Sequence, residues 1–328
     1  MIASGGTDEV VRIFSGKKRS DVGSLMQQQG TISWIEFFQD SHLFTGSDDG
    51  TICVWDTRNW ECLKTLRGHK GPVSCLSVHP SGKMLLSVAK DKTLRTWNLI
   101  KGRCAYITNL KSVAHYVTWA PNGRDFVVAI DDRIDVYNIA VGGVIFSMKF
   151  EGGKRISSIV FVSEQVIAVS ADSDSINMYS LKDTGSGDDN RCIIKFKAHE
   201  NRVKGLFSTF NRMSSSQDSN EGQEVFLFSV SSDGRVKLWN MTHLDLEPCL
   251  VASVDTTCRP TAFSVLIPSG SKIFQSTSDR ENKTIKRKHS KEAKGSTFKK
   301  SLTETTSTET VSSSKACNPS PTKDLTNT

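Results

Sequence analysis

Aromatic side chains recur along this chain at nearly constant spacing: Phe14, Trp55, Trp97, Tyr137, Tyr179 and Trp239, at intervals of 41, 42, 40, 42 and 60 residues. A fixed period constrains a fold strongly, because each unit must bury its apolar surface against its own copies. The clearest copy is Arg67 to Leu99, RGHKGPVSCLSVHPSGKMLLSVAKDKTLRTWNL. Within it Val73 to Val78 and Met84 to Val88 are short, partly β-branched and divided by Pro80-Ser81-Gly82, which predicts a hairpin rather than a helix. Thr93 to Trp97 adds a third strand after a Lys-Asp-Lys turn. A period of about 40 to 45 residues with several short strands predicts an all-β propeller, with four-stranded sheets set radially around a channel.

The long last interval holds two polar inserts, Lys182 to Asn190 and Asn211 to Gln223, read as loops that lengthen a sheet without adding one. Six residues before each aromatic stand Asp8, Asp49, Asp91, Asp131, Ser173 and Asp233; ten before stand Ser4, Thr45, Ser87, Val127, Val169 and Ser229. A carboxylate at such a turn accepts hydrogen bonds from the exposed turn amides. His69 and His199 precede first strands. Two full networks are therefore expected, His69–Ser87–Asp91–Trp97 and His199–Ser229–Asp233–Trp239, with Thr45, Asp49 and Trp55 as a third, partial set. Triads use the same residue types, but recurrence of the set in two units points to a structural role, and no nucleophile elbow, zinc-protease motif or phosphate loop accompanies it.

At these residues the chain resembles the WD-repeat family, most closely over Gly68-His69 to Trp97-Asn98, Ala198-His199 to Trp239-Asn240 and Thr45 to Asp56. The resemblance implies a propeller of the seven-bladed type, spanning residues 1–267 as six recognisable blades and a partial closing one. The blades ending at Tyr137 and Tyr179, with Val127 and Val169 at the hydroxyl position and Ser173 for Asp in the second, are expected to rely on apolar packing and to be softer. Ile2 to Ser4 reads as a second strand, so the first blade is expected to lack its innermost strand, as in a fragment or variant start. Cys249 to Val254 reads as a fourth strand and Thr261 to Ile267 as the first strand of a further blade.

Composition narrows the functional classes. Eight cysteines include no Cys-x-x-Cys pair and no His at zinc-finger spacing, which argues against metal ligation and for reduced thiols packed as small hydrophobes. Neither a secretory signal nor a membrane-length apolar run is visible, and nothing in the sequence calls for a cofactor. Of the net charge of +7, residues 270–328 carry 12 Lys and Arg against 6 Asp and Glu. This segment, from Pro268 onward, is rich in Ser, Thr, Lys and Glu and is expected to be a disordered tail. Lys286, Arg287 and Lys288 are candidates for nuclear import, and Ser290 and Ser320 for phosphorylation.

A binding role is left. In such a fold the loops before first strands and the turns between second and third strands gather at one end, here displaying Arg67, Lys70, Lys90, Lys92, Arg133, Lys154, Arg155, Arg202 and Arg235. Such a rim suits an acidic protein or RNA phosphates. Longer strings, DTRNWECLKTLRGHKGPVSCLSVHPSGKMLLSVAKDKTLRTWNL, Arg155 to Ser158 and FKAHENRVK, resemble the branch of WD-repeat proteins that interact with PAK-family kinases and whose yeast relative assembles the large ribosomal subunit. This narrower resemblance implies a non-catalytic, nuclear and nucleolar scaffold, monomeric within larger complexes. Its implied partners are pre-ribosomal proteins, with rRNA as a further candidate, and the PAK regulatory region, whose kinase it would inhibit. The alternative is a kinase-inhibitory adaptor with no ribosomal role.

Overall fold

A computed structural model describes residues 1–150, 153–182, 191–210, 225–244 and 246–265. All of these fall in one compact unit, Met1–Leu266. The first sheet has three strands, β1 (Ile2–Gly5), β2 (Val11–Ser15) and β3 (Ser20–Leu25). Five four-stranded sheets follow. The second holds β4 (Ile32–Phe38), β5 (His42–Ser47), β6 (Ile52–Asp56) and β7 (Cys62–Leu66); the third holds β8 (Val73–Val78), β9 (Met84–Ala89), β10 (Thr93–Asn98) and β11 (Arg103–Asn109). The fourth comprises β12 (Tyr116–Trp119), β13 (Asp125–Ile130), β14 (Arg133–Asn138) and β15 (Gly143–Lys149), and the fifth β16 (Ile156–Ser163), β17 (Val166–Ala171), β18 (Ser175–Ser180) and β19 (Cys192–Lys197). The sixth comprises β20 (Val203–Ser208), β21 (Phe226–Ser231), β22 (Arg235–Asn240) and β23 (Cys249–Asp255).

Every pairing joins consecutive strands antiparallel, so each sheet is a meander, and the long interval before Trp239 adds no sheet among the described residues. The first strands lie side by side, β4 on β8, β8 on β12, β12 on β16 and β16 on β20, while β1 lies on β4. Among the described residues this is a propeller of six blades. Among the described residues no helix is long and apolar enough to cross a membrane.

Five apolar clusters fill the five spaces between successive sheets. The recurring aromatics sit in them: Trp97 is 1% exposed between the second and third sheets, and Tyr179 is buried between the fourth and fifth. Phe14 differs, standing half-buried on the outer side of the first sheet. In all six sheets the strand bearing the repeat aromatic slips by one residue at that aromatic against the strand that follows it. Such bulges sharpen the local twist, here beside the bulkiest side chain of each unit.

Side chains of the first strands also fasten several neighbouring blades together. The Val78 amide donates to the Glu36 carboxyl at 3.0 Å, the Trp119 amide to Ser77 Oγ at 3.1 Å and the Leu206 amide to Ser158 Oγ at 3.2 Å. Cys75 both accepts from the Val117 amide and donates to its carbonyl. Cys53 and Cys75 are buried free thiols. In the sixth sheet Gly205 and Phe207 take the registers of Cys75 and Ser77.

Three expectations need correction. Thr261 to Val265 is not a strand; Phe263 instead lies against Phe228, which meets Phe207 in turn, with ring centroids 6.5 and 6.2 Å apart. Second, the blade ending at Tyr137 carries Val128, not Val127, in the register of Ser87. Phe126 pairs with Tyr137 as Leu85 pairs with Trp97, and the Asp131-Asp132 turn is one residue shorter than Lys90-Asp91-Lys92. Third, the short turn moves Asp131 out of the register of Asp91; its partner is His115, 3.2 Å away near the surface.

Candidate partner-docking face

In the third blade the His69 Nδ1–H donates to Asp91 Oδ2 at 3.0 Å, the Ser87 hydroxyl donates to His69 Nε2 at 2.7 Å, and the Trp97 indole N–H donates to Ser87 Oγ at 2.8 Å. The carboxylate can only accept, which fixes the tautomer. In the sixth blade His199, Asp233, Ser229 and Trp239 repeat the arrangement at 3.0, 2.8 and 2.9 Å. Both serines are fully buried and each oxygen is already held by an indole, so neither is placed to attack a substrate. Burial pushes both imidazoles below their ordinary pKa, against the pull of their carboxylates, and keeps them neutral. Burial alone would raise Asp91, but the Lys70 amide, the Thr93 hydroxyl and His69 hold it at about 2.

The second blade has Gln28 in place of a histidine. Its amide N–H reaches the Thr51 carbonyl at 3.0 Å, its oxygen accepts from Thr45 Oγ1 at 2.6 Å, and Trp55 donates to the same Thr45 oxygen at 3.0 Å. Asp49 binds the Gln29 and Thr51 amides. Sequence reading missed Gln28, although it lies four residues before Ile32 as His69 lies four before Val73. The fourth blade puts buried Leu110 at that place, and Val128 and Val169 are fully buried where the other blades have hydroxyls.

These networks hold loops at one end of the molecule. The turn amides of Lys90, Asp172 and Ser232 donate to the carbonyls of Pro72, Arg155 and Arg202, tying second-to-third-strand turns to the loops before first strands. Neighbouring blades are laced the same way, through Ile32 to Gly6, Ile156 to Asp131 and Val203 to Ser173. The turns are tight: Gly50 has φ 79°, and a Cβ there would lie 2.8 Å from the His69 carbonyl of the next blade. Lys92 adopts φ 63° without being glycine.

At this end Arg67, Lys70, Lys90, Lys92, Lys154, Arg155 and Arg235 are exposed. Arg133 is otherwise engaged, pairing with Asp135 of its own strand at 3.0 Å. Arg202 is half-buried beside Asn201, Ser232 and Arg259 in a cleft of about 440 Å³. Lys204 and Arg259 were not singled out from the sequence; Lys204 stands two residues after Arg202, and folding brings Arg259 and Arg155 near it. Lys286, Arg287, Lys288, Ser290 and Ser320 lie outside the described residues.

The WD domain, G-beta repeat model matches residues 20–56, 60–98 and 190–240. A Xenopus laevis protein, p21-activated protein kinase-interacting protein 1-like, is 43% identical over 271 residues, covering 82% of this chain and 70% of the relative. The chain belongs to the family of p21-activated protein kinase-interacting WD-repeat proteins. The family reaches further: Protein MAK11 of Saccharomyces cerevisiae is 24% identical over 74% of this chain and 65% of its own length. Shk1 kinase-binding protein 15 of Schizosaccharomyces pombe is 25% identical, over 73% of this chain and 64% of its own length.

Proposed function

We propose that this chain is a non-catalytic docking platform whose braced loop face binds the regulatory region of a PAK-type kinase and restrains that kinase. The observation that carries the reading is kinship with relatives named for kinase binding in frog and fission yeast, joined to a rim of exposed cations at the end where the His69 and His199 networks hold the loops. Rigid loops lower the ordering cost of binding, and cations speed encounter with acidic segments. The exposed outer side of the first sheet and the face of the sixth bearing Phe207 and Phe228 support a ring of the seven-bladed type, with these faces flanking the remaining place.

The test is a pull-down of the full chain with a purified PAK regulatory region. Binding is expected, weakened several-fold when Lys90 and Lys92 are reversed to Glu, with the circular dichroism spectrum unchanged. A chain that retains no regulatory region overturns the reading.

A second reading, nucleolar assembly of the large ribosomal subunit, rests on the resemblance drawn from the sequence and is favoured by the basic run between Lys283 and Lys300. It requires the protein to co-sediment with pre-ribosomal particles.

A further inference from the structure

A cluster of cations on the docking face lies between the fifth and sixth blades. Arg202 is held there from two sides: its Nε–H donates to Ser232 Oγ at 3.4 Å, and its Nη1 is 3.6 Å from the Asp172 carboxylate. Its side chain keeps 41% of its exposure, so it is positioned without being consumed. Arg259, on the segment following β23, lines the same cleft with Asn201. Lys204 stands in the register where the second and fifth blades carry Ser33 and Ser157, whose hydroxyls reach the Val73 and Val203 carbonyls of the following blade. Burial first, then Arg202 and Arg259, and Arg155 besides, push its ammonium below its ordinary pKa, with Asp172 opposing. Three guanidinium groups thus act on Lys204 beside an open cleft lined by Arg202, Arg259, Ser232 and Asn201. Crowded like charge of this kind is relieved by an anion, and two guanidinium forks beside a hydroxyl and an amide match the oxygens of a tetrahedral phosphate.

We infer that this cleft receives a single phosphate group carried by a phosphoserine or phosphothreonine of an extended protein segment. The inference rests on the docking reading above and names the chemistry of one contact within it. A nucleic-acid backbone fits less well, because it needs an unbroken positive track. Here Asp172 borders the cleft, while Asp174 and Glu200 lie 3.9 and 3.2 Å from the Lys197 ammonium on the adjoining surface. These carboxylates repel the phosphates that would follow the first.

The experiment titrates the full chain, at about 0.15 M salt, against a fluorescent octapeptide with one central phosphoserine, the same peptide unphosphorylated, and a single-stranded uridine dodecamer. The phosphopeptide is expected to bind saturably and to be displaced by inorganic phosphate. Losing charge-assisted bonds predicts at least about tenfold weaker binding for Arg202→Ala/Lys204→Ala. The exposed Arg259→Ala should weaken binding several-fold, and Lys17→Ala/Lys18→Ala, exposed between β2 and β3 and away from the docking face, should leave it unchanged. Equal binding of both peptides, no loss in the Arg259 variant, or tighter binding of the dodecamer through the same residues overturns the inference. The kinase pull-down separates the two claims: a chain that holds the regulatory region yet ignores the phosphopeptide keeps the docking face and loses the phosphate site.

Discussion

Glu36 shows how a single residue tunes the hub of the propeller. Its carboxyl accepts the Val78 amide in the register where the next blade uses Ser77, and the Trp34 and Tyr116 rings close over the same region with centroids 5.4 Å apart. Burial raises its pKa from 4.5 to about 7, outweighing the Val78 hydrogen bond. A carboxyl raised on folding binds more protons in the native state, so its contribution is complete below the unfolded value near 4.5 and is lost as pH rises through about 7. Glu36→Gln keeps the acceptor and removes the ionisation. Its unfolding free energy should exceed that of the parent by about 1–3 kcal/mol at pH 8 and match it near pH 4.5. Denaturant titrations at the two pH values check this, and equal stability at pH 8 overturns it. The neighbouring histidines were legible because His69 and His199 repeat with their Ser, Asp and Trp; Gln28 was not, because only geometry shows a side-chain amide performing a histidine's bonding.

At the scale of the blade, polar networks divide the sheets. The third and sixth blades close with four-membered sets, whereas the fourth and fifth have Val128 and Val169 where the serine would be. Those two blades pack aromatic rings instead, Phe150 on Tyr179 and Phe126 on Tyr137, with centroids 6.3 and 4.9 Å apart. Apolar contacts lack the directional, mutually dependent bonds that resist local opening. Amides of β13–β14 and β17–β18 should therefore exchange with deuterium sooner than those of β9–β10 and β21–β22, by about tenfold for each 1.4 kcal/mol of opening free energy. Exchange mass spectrometry resolves these segments, and uniform protection across the four blades would refute the division. Strand order was readable from the period, but the shortened turn before Arg133 was not, because counting back from Tyr137 assumes a constant turn length.

For the molecule as a whole, charge and fold are separable. Most of the +7 lies in residues 270–328, while the residues before them are nearly balanced. A chain ending at residue 269 should elute from heparin at clearly lower salt than the full chain, with its β-sheet spectrum intact, since general attraction to polyanions scales with the number of cations engaged. Elution at the same salt would locate that attraction in the rim instead. Against this background the cleft at Arg202 is a local device: it concentrates cations within a nearly neutral body, so its selectivity arises from arrangement rather than from net charge.

The sequence by itself determined the class of fold, the order of strands and the two histidine networks, because all three follow from short-range patterns that recur: alternating apolar residues, turn residues and an aromatic at a steady interval. Tertiary structure decided what no local pattern encodes. It set which valine faces a tyrosine, let a glutamine stand in for a histidine, and turned Phe263 onto Phe228 instead of into a strand. It also brought Arg155, Arg202, Lys204 and Arg259 together across two blades. Each of these depends on register between segments far apart in the chain, and register is fixed only when whole sheets pack.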